Sequence, residues 1–222
     1  SRFRRRRPDH DGGGALYVVS ISSRGTIDAH RTIQNEDIGG VLDDGDRFGC
    51  SIANVGDING DGMVDIVVGA SGDDDGGENR GAVFVLFLNH VGDVIGQQKI
   101  SAVEGNFTAA GLEDNDGFGS AVTSAGDLNG DGINDIVVGA SGDDDGGENR
   151  GAVFVVFLGE GGTAMNSQKI SENEGDFPGR VITDSPSVTP SASPSTSIPS
   201  SEPTFLPSNT PTTSPSLIPS TT

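Results

Sequence analysis

Two acidic loops in this chain have the residue types and the spacing of a calcium site. The nine residues from Asp57 to Asp65 read Asp-Ile-Asn-Gly-Asp-Gly-Met-Val-Asp, and a loop of the same pattern runs from Asp127 to Asp135, 70 residues further on. Carboxylate, amide and carbonyl oxygens are the hard ligands that Ca²⁺ prefers, and glycine permits the sharp turn between them. We therefore predict that Ca²⁺ is a cofactor. The predicted ligands are Asp57, Asn59, Asp61, the Met63 carbonyl and Asp65, with Asp127, Asn129, Asp131, the Ile133 carbonyl and Asp135 in the second loop.

Three alternatives to a calcium hairpin are less favourable. An EF-hand needs a bidentate glutamate at the twelfth position and a helix after it, whereas this chain has Val68 and Val138 there, within strand-like runs. Mg²⁺ is disfavoured because it keeps more of its bound water and takes fewer protein ligands. A metal-free turn is the last alternative, but the three carboxylates in each loop would repel one another without a cation.

The composition indicates a turn-rich β protein that suits cations. The 222 residues carry 33 acidic and 13 basic side chains, a net charge of −20, which disfavours nucleic acid and anionic membranes as partners. The 35 glycines alternate with short apolar runs, a pattern of strands and turns rather than helices. No apolar run is long enough to span a bilayer. Cys50 is the single cysteine, so no intrachain disulfide forms, and we expect it to be a small buried residue.

An internal repeat organises the chain. Residues 66–85 are identical to residues 136–155, and Phe48-Gly49 corresponds to Phe118-Gly119. A partial copy leads, in which Ile33 takes the place of Ile100, and another partial copy follows the second repeat. We predict a leader at 1–13 and a repeat segment at 14–182, with a partial copy at 14–47 and full repeats at about 48–117 and 118–182. A Pro/Ser/Thr-rich stalk or linker follows at 183–222.

Each full repeat is predicted to form four antiparallel strands. In the first repeat they cover about 48–55, 65–70, 82–88 and 97–102, and in the second about 118–125, 135–140, 152–158 and 168–171. The second strand of each repeat is apolar on both faces, as a strand buried between two layers should be. A four-stranded antiparallel unit repeated along a chain is typical of a β-propeller. The predicted fold class is therefore all-β, with propeller blades and a disordered tail.

The order of these motifs resembles the FG-GAP repeat of integrin α subunits. It runs Phe-Gly, then Gly-Asp-x-Asn-Gly-Asp-Gly-x-x-Asp, then Val-Gly-Ala, then Gly-Ala-Val-Phe-Val, in both full copies; Ser71 and Ser141 replace the proline of the family motif. The resemblance implies an integrin-like N-terminal β-propeller in which calcium in the acidic loops is structural rather than catalytic. Propellers of that family have seven blades, so two full repeats imply an incomplete ring and further blades in the same or another chain.

Two other sets of residues recur at equivalent positions. The acidic stretch Asp73–Glu78, repeated as Asp143–Glu148, is most simply a solvated turn, with a second cation site or a ligand-facing rim as alternatives. The aromatic side chains are expected to pack between blades rather than to form a ligand platform. They are Phe48, Phe84, Phe118 and Phe154.

The two termini and one glycosylation sequon indicate where in or outside the cell the protein acts. The run Arg4–Arg7 suits a solvated leader or a processing site, with nucleic-acid binding as a weaker alternative. Prolines occur at almost every fourth residue of the stalk, which suits an extended, O-glycosylated segment. Asn106-Phe-Thr108 is an N-glycosylation sequon. Together with the calcium loops, these features favour an extracellular or cell-surface glycoprotein.

No catalytic constellation is evident. The three histidines His10, His30 and His90 are scattered, and neither a nucleophile elbow nor a phosphate-binding loop occurs. We therefore expect a non-enzymatic module for cell adhesion, with a protein or glycan ligand on an exposed propeller face, no nucleic-acid partner and no direct insertion into a membrane. The alternatives are an accessory propeller of a larger extracellular hydrolase, such as a phospholipase, and a structural wall or matrix protein.

Overall fold

The computed structural model describes residues 14–107 and 111–175. Short apolar runs between Asp/Gly turns form strands, in keeping with their β-branched and aromatic content. The strands are β1 (Leu16–Ile21), β2 (Ile27–Ile33), β3 (Phe48–Gly56), β4 (Asp65–Ala70), β5 (Ala82–Leu88), β6 (Val94–Ser101), β7 (Phe118–Gly126), β8 (Asp135–Ala140), β9 (Ala152–Leu158) and β10 (Ala164–Ile170), with a 3₁₀ helix at Asn35–Ile38. The predicted leader with Arg4–Arg7 and His10, and the predicted stalk, lie outside the described residues.

Two four-stranded antiparallel sheets correspond to the two full repeats. The first blade has the order β3-β4-β5-β6 and the second blade the order β7-β8-β9-β10, so each strand pairs with its neighbour in sequence. Strands β1 and β2 form a lead hairpin in which Leu16 pairs with Ile33, as Val83 pairs with Ile100 in the first blade. The predicted all-β class with four-stranded antiparallel blades is confirmed.

The fourth strand of each blade begins earlier than the sequence predicted. Strand β6 starts at Val94 rather than near 97, and β10 at Ala164 rather than near 168. In the first blade, the side-chain oxygen of Asn89 accepts the backbone N–H groups of Val91 and Asp93, both at 3.0 Å. This tight turn lets Val94 pair at once with Leu88, so the ladder extends to the turn.

Apolar side chains fill the space between successive sheets. Val68 on β4 packs toward the lead hairpin, whereas its neighbour Val67 packs toward the second blade, and both are fully buried. This explains why the β4 sequence is apolar on both faces. The predicted packing of aromatic side chains between blades is present, because Phe118 and Phe154 share an apolar cluster with Val83 of the first blade, and Phe48 and Phe84 share one with Leu16 of the lead hairpin. Within each blade the two rings meet edge to face, at 5.5 Å in the first and 5.4 Å in the second. Phe107 stacks on Phe118 at 4.8 Å.

Two further expectations concern single residues, and a third concerns membrane-spanning segments. Cys50 is exposed rather than buried, and its Sγ donates a 3.3 Å hydrogen bond to the carbonyl of Gly119 at the junction of the blades. Asn106 of the predicted sequon donates its side-chain amide to the carbonyl of Ala164 at 2.9 Å, and Thr108 lies outside the described residues. Within the described ranges, no helix has the length and apolar character needed to cross a bilayer.

Candidate metal loops and the lysine-bound acidic loops

The first candidate metal loop joins β3 to β4 and is organised by its own aspartates. Asp57 accepts the backbone N–H of Asp61 at 3.0 Å on one oxygen and that of Gly62 at 2.8 Å on the other. Asp61 accepts the N–H of Met63 at 2.8 Å. Gly62 has φ +84°, a conformation that favours glycine and permits the reversal at the sixth position. These contacts bring the first, third and fifth predicted ligands together at the exposed tip of the loop.

The second candidate metal loop, between β7 and β8, repeats this arrangement. Asp127 accepts the N–H groups of Asp131 at 3.1 Å and Gly132 at 2.8 Å, and Asp131 accepts that of Ile133 at 2.8 Å. The N–H of Gly132, followed by those of other loop residues, lowers the pKa of Asp127 below its ordinary value. Hydrogen bonds to the charged form favour ionisation, so this carboxylate is held ionised at the loop tip.

The ninth residue of each loop has a different position. Asp65 is fully buried, and its two oxygens accept the N–H groups of Ile58 at 3.0 Å and Leu88 at 3.2 Å. Asp135 makes the equivalent contacts with Leu128 and Leu158. Burial raises the pKa of Asp65, while these N–H groups oppose the rise. Asp65 and Asp135 therefore fasten the loop to the end of the third strand, a role that the spacing alone did not indicate.

The oxygen atoms at the loop tips are of the type that a hard cation such as Ca²⁺ binds. Each tip offers two carboxylates and one amide oxygen, and no ion pair formed among residues 14–107 and 111–175 reaches them. As the side chains lie, no group of three or more His, Cys, Asp or Glu residues in these same ranges converges closely enough to hold a metal ion. A bound ion would have to share the oxygens of Asp57 and Asp61 with the backbone amides that they accept. Calcium in these loops remains a prediction.

The acidic loops between the second and third strands are neutralised by a lysine from the fourth strand of the same blade. The Lys99 ammonium lies 2.7 Å from an oxygen of Asp73 and 2.6 Å from one of Asp75. Asp73 is only 2 % exposed and Lys99 only 6 %. The interpretation of this loop as a solvated turn is therefore wrong for Asp73, because a lysine from β6 draws its carboxylate inward. In the second blade, Lys169 binds Asp143 and Asp145 at 2.6 and 2.8 Å.

A third acidic side chain, itself buried, lies near each lysine and the two aspartates that the lysine binds. We call each such group of four residues a lysine cluster. Asp46 is 3 % exposed, and its carboxylate accepts the N–H of Asp43 at 2.8 Å. Burial, reinforced by the charge of Asp73, raises the pKa of Asp46 to about 6. Burial likewise raises the pKa of Asp116, its equivalent in the second repeat. Each lysine cluster thus combines three acidic side chains with one ammonium group.

Sequence reasoning missed the lysine clusters, although a signal was present. Lys99 lies within the motif Gln-Lys-Ile-Ser, which recurs unchanged around Lys169. In the ladder, Lys99 pairs with Phe84, and its ammonium lies 5.6 Å from the centroid of that ring. A lysine that recurs inside a strand opposite an aromatic residue indicates a buried cation rather than a solvated one.

Comparison with known proteins identifies the repeat. The FG-GAP repeat family matches residues 48–86 and 118–156, which begin at Phe48 and Phe118 and contain both candidate metal loops. Integrin alpha-3 of Cricetulus griseus is 29 % identical over 163 residues, 73 % of this chain and 14 % of that protein. Integrin alpha-X of Homo sapiens is 38 % identical over 96 residues, 43 % of this chain and 8 % of that protein. The chain thus spans about a seventh of the length of the first of these relatives.

Proposed function

Because the chain contains two FG-GAP repeats and is similar to integrin α subunits over most of its length, we propose that it is a calcium-stabilised, non-catalytic recognition module. In this proposal it acts outside the cell or at the cell surface, in adhesion to a protein or glycan. The observation that carries the proposal is that each FG-GAP match contains one complete Asp/Asn loop. The proposed role in cell-surface adhesion is supported by the similarity to integrin α subunits and by no single residue of the chain.

Calcium would be held at the tips of the two loops. Asp57, Asn59 and Asp61 would contribute side-chain oxygens, as would Asp127, Asn129 and Asp131 in the second blade. Asp65 and Asp135 would supply a ligand only by turning one oxygen from the backbone amides that it now accepts. The proposal is supported by a contrast with the neighbouring acidic loops. Lysines on β6 and β10 neutralise those loops, whereas none of the described ion pairs neutralises the tips of the candidate metal loops. A metal that binds only the folded state raises stability by mass action.

Thermal unfolding and calcium binding of the 222-residue chain test this part of the proposal. We expect two Ca²⁺ ions per chain by isothermal titration calorimetry and a rise in Tm when calcium replaces a chelator. The gain is about 2.7 kcal/mol per site at a hundredfold excess over Kd. The double variant Asp61→Ala/Asp131→Ala should lose both the binding and the rise.

The matched control is Glu78→Ala/Glu148→Ala, which removes the same charge from two exposed residues in the neighbouring loops. This control should bind calcium and gain stability as the unmodified chain does. A Tm and a calorimetric trace that are indifferent to calcium would refute the metal sites. Equal losses in the two double variants would show that net charge, rather than the loop tips, governs the response.

Recognition needs its own assay. We expect the calcium-loaded chain to bind an extracellular protein or a glycan on arrays of both classes, and the chelated chain and Asp61→Ala/Asp131→Ala to bind more weakly because their blades are less stable. Retention of full binding by the metal-free chain would separate recognition from calcium. An absence of binding to either class would argue for a purely structural role.

A further inference from the structure

Each candidate metal loop contains an asparagine that is followed directly by glycine. The two pairs are Asn59-Gly60 and Asn129-Gly130, and all four residues are exposed. A Cβ built on either glycine would meet no heavy atom within 4 Å apart from its chain neighbours, so water reaches both backbone nitrogens. Asparagine is a thermolabile residue, and a glycine after it offers a backbone nitrogen that no side chain shields. Both pairs are therefore candidates for deamidation, in which this nitrogen attacks the side-chain amide.

The fold holds the two asparagine side chains in the same way. The side-chain oxygen of Asn59 accepts the N–H of Asp61 at 3.0 Å, and its Nδ2 donates to Oδ2 of Asp61 at 3.0 Å. Asn129 makes the same two bonds with Asp131, both at 2.9 Å. An N–H that bonds to the amide oxygen draws electrons from the amide carbon. The carbon that the backbone nitrogen attacks is therefore activated to a similar degree in both loops.

The attacking nitrogen, in contrast, differs between the loops. The N–H of Gly130 donates to Oδ1 of Asp127 at 2.7 Å. Asp57, the equivalent of Asp127, accepts other loop N–H groups, but the N–H of Gly60 forms no hydrogen bond within residues 14–107 and 111–175. A carboxylate at hydrogen-bond distance favours the N–H and opposes the negatively charged nitrogen that attacks. The nitrogen of Gly60 is therefore free to react, whereas that of Gly130 is restrained.

We propose that Asn59 undergoes spontaneous deamidation in the folded chain and that Asp127 protects Asn129 from the same reaction. The nitrogen of Gly60 loses its proton to water and forms a bond to Cγ of Asn59. The bond from Cγ to Nδ2 breaks, and the amide group takes up a proton from water and leaves as ammonia. Water then opens the resulting succinimide ring at one of its two carbonyls, which gives aspartate or isoaspartate at position 59. No group is oxidised or reduced.

This reaction would alter the first loop and leave the second unchanged. The product lacks the Nδ2 donor that bonds to Asp61 and adds a negative charge beside Asp57 and Asp61. Like charges at such a distance repel one another, and an isoaspartate also lengthens the backbone by one carbon. We therefore expect a less stable first loop in the absence of a cation. The inference does not depend on calcium, and its test is made in chelator.

Peptide mapping by mass spectrometry measures the reaction at each site. The 222-residue chain is incubated in chelator at neutral pH and digested at intervals. Conversion is read from the mass gained when NH₂ is replaced by OH, and isoaspartate from its separate chromatographic peak. We expect Asn59 to react about tenfold faster than Asn129, a factor at the lower end for one hydrogen bond to a charged group. Equal rates in the folded chain, or a faster reaction at Asn129, would overturn the proposal.

An unfolded control tests whether the fold causes the difference. The sequences around the two sites are nearly identical, Asp-Ile-Asn-Gly-Asp-Gly in the first loop and Asp-Leu-Asn-Gly-Asp-Gly in the second. In concentrated urea, where the hydrogen bond from Gly130 is lost, the two rates should become equal. A difference that persisted in urea would assign it to sequence and overturn the role of the fold.

A matched pair of variants tests the protecting carboxylate. Asp127→Ala should raise the rate at Asn129 toward that at Asn59, because it frees the N–H of Gly130. Asp57→Ala removes the same charge from the first loop and should accelerate Asn59 less, because Asp57 does not bind the N–H of Gly60. Circular dichroism establishes that both variants are folded. Equal acceleration by the two substitutions would contradict protection by Asp127.

Discussion

The two acidic loops of each blade have similar compositions but opposite environments. The loop between the first and second strands presents Asp57 and Asp61 at an exposed tip, where they accept backbone N–H groups. The loop between the second and third strands buries Asp73 and neutralises it with Lys99. Local sequence makes both loops candidates for a cation, yet a residue on a distant strand supplies that cation to only one. The tertiary position of a lysine therefore decides which loop has its acidic side chains neutralised from within the blade.

Removing the internal cation gives the largest expected effect. Lys99→Met keeps the length of the side chain but leaves the Asp73 carboxylate buried without its partner. Breaking a buried ion pair in this way costs about 3–5 kcal/mol, which urea denaturation at pH 7 measures directly. We expect the same loss, within about a factor of two, for Lys169→Met in the second blade, where the ammonium group makes equivalent contacts.

The control is the double variant Lys99→Met/Asp73→Asn. Because it removes the uncompensated charge together with the lysine, it should recover part of the lost stability, and the coupling measures the interaction. If Lys99→Met alone cost less than about 1 kcal/mol, the value of a surface ion pair, the two loops would not differ as the structure indicates.

The difference between the loops also separates what the sequence could predict from what it could not. Exact repetition of residues 66–85 and short apolar runs between Asp/Gly turns were sufficient to predict the blades and the strands β4, β5, β8 and β9. Lys99 meets Asp73 only because of the ladder that pairs Lys99 with Phe84, and a register between distant residues is not encoded in spacing. The burial of Asp65 was missed for the same reason, since Leu88 is brought to it by the sheet.

A pH dependence distinguishes the buried cluster from the exposed tips. Because the folded pKa of Asp46 is about 6, above its ordinary value of 3.8, the folded state binds this proton more tightly than the unfolded state. The free energy of unfolding therefore falls as the pH rises from about 4 to 6, and the penalty is complete above pH 6. We expect Asp46→Asn to be more stable than the unmodified chain at pH 7.5, by up to about 3 kcal/mol.

At pH 4 this advantage should vanish, since Asp46 is then protonated in the folded chain. Charge removal at the exposed residue Asp44 is the control and should leave the pH profile of unfolding nearly unchanged. A profile for Asp46→Asn that parallels that of the unmodified chain between pH 4 and 7.5 would contradict the assignment of this titration to Asp46.

The smallest expected changes in stability come from substitutions within the candidate metal loop. They distinguish its buried ninth residue from its exposed tip. In chelator, Asp65→Ala should cost about 2 kcal/mol, because it leaves the N–H groups of Ile58 and Leu88 buried without acceptors. Asp61→Ala should cost less than about 1 kcal/mol under the same conditions, because the N–H of Met63 that it frees is exposed to water. Urea denaturation in chelator and in calcium measures both.

Calcium should widen the stability deficit of Asp61→Ala, because the unmodified loop would bind the ion and the variant lacks one of its ligands. If that deficit were the same with and without calcium, the loop tip would be a hydrogen-bonded turn and the contrast with the lysine-bound loop would be one of exposure alone.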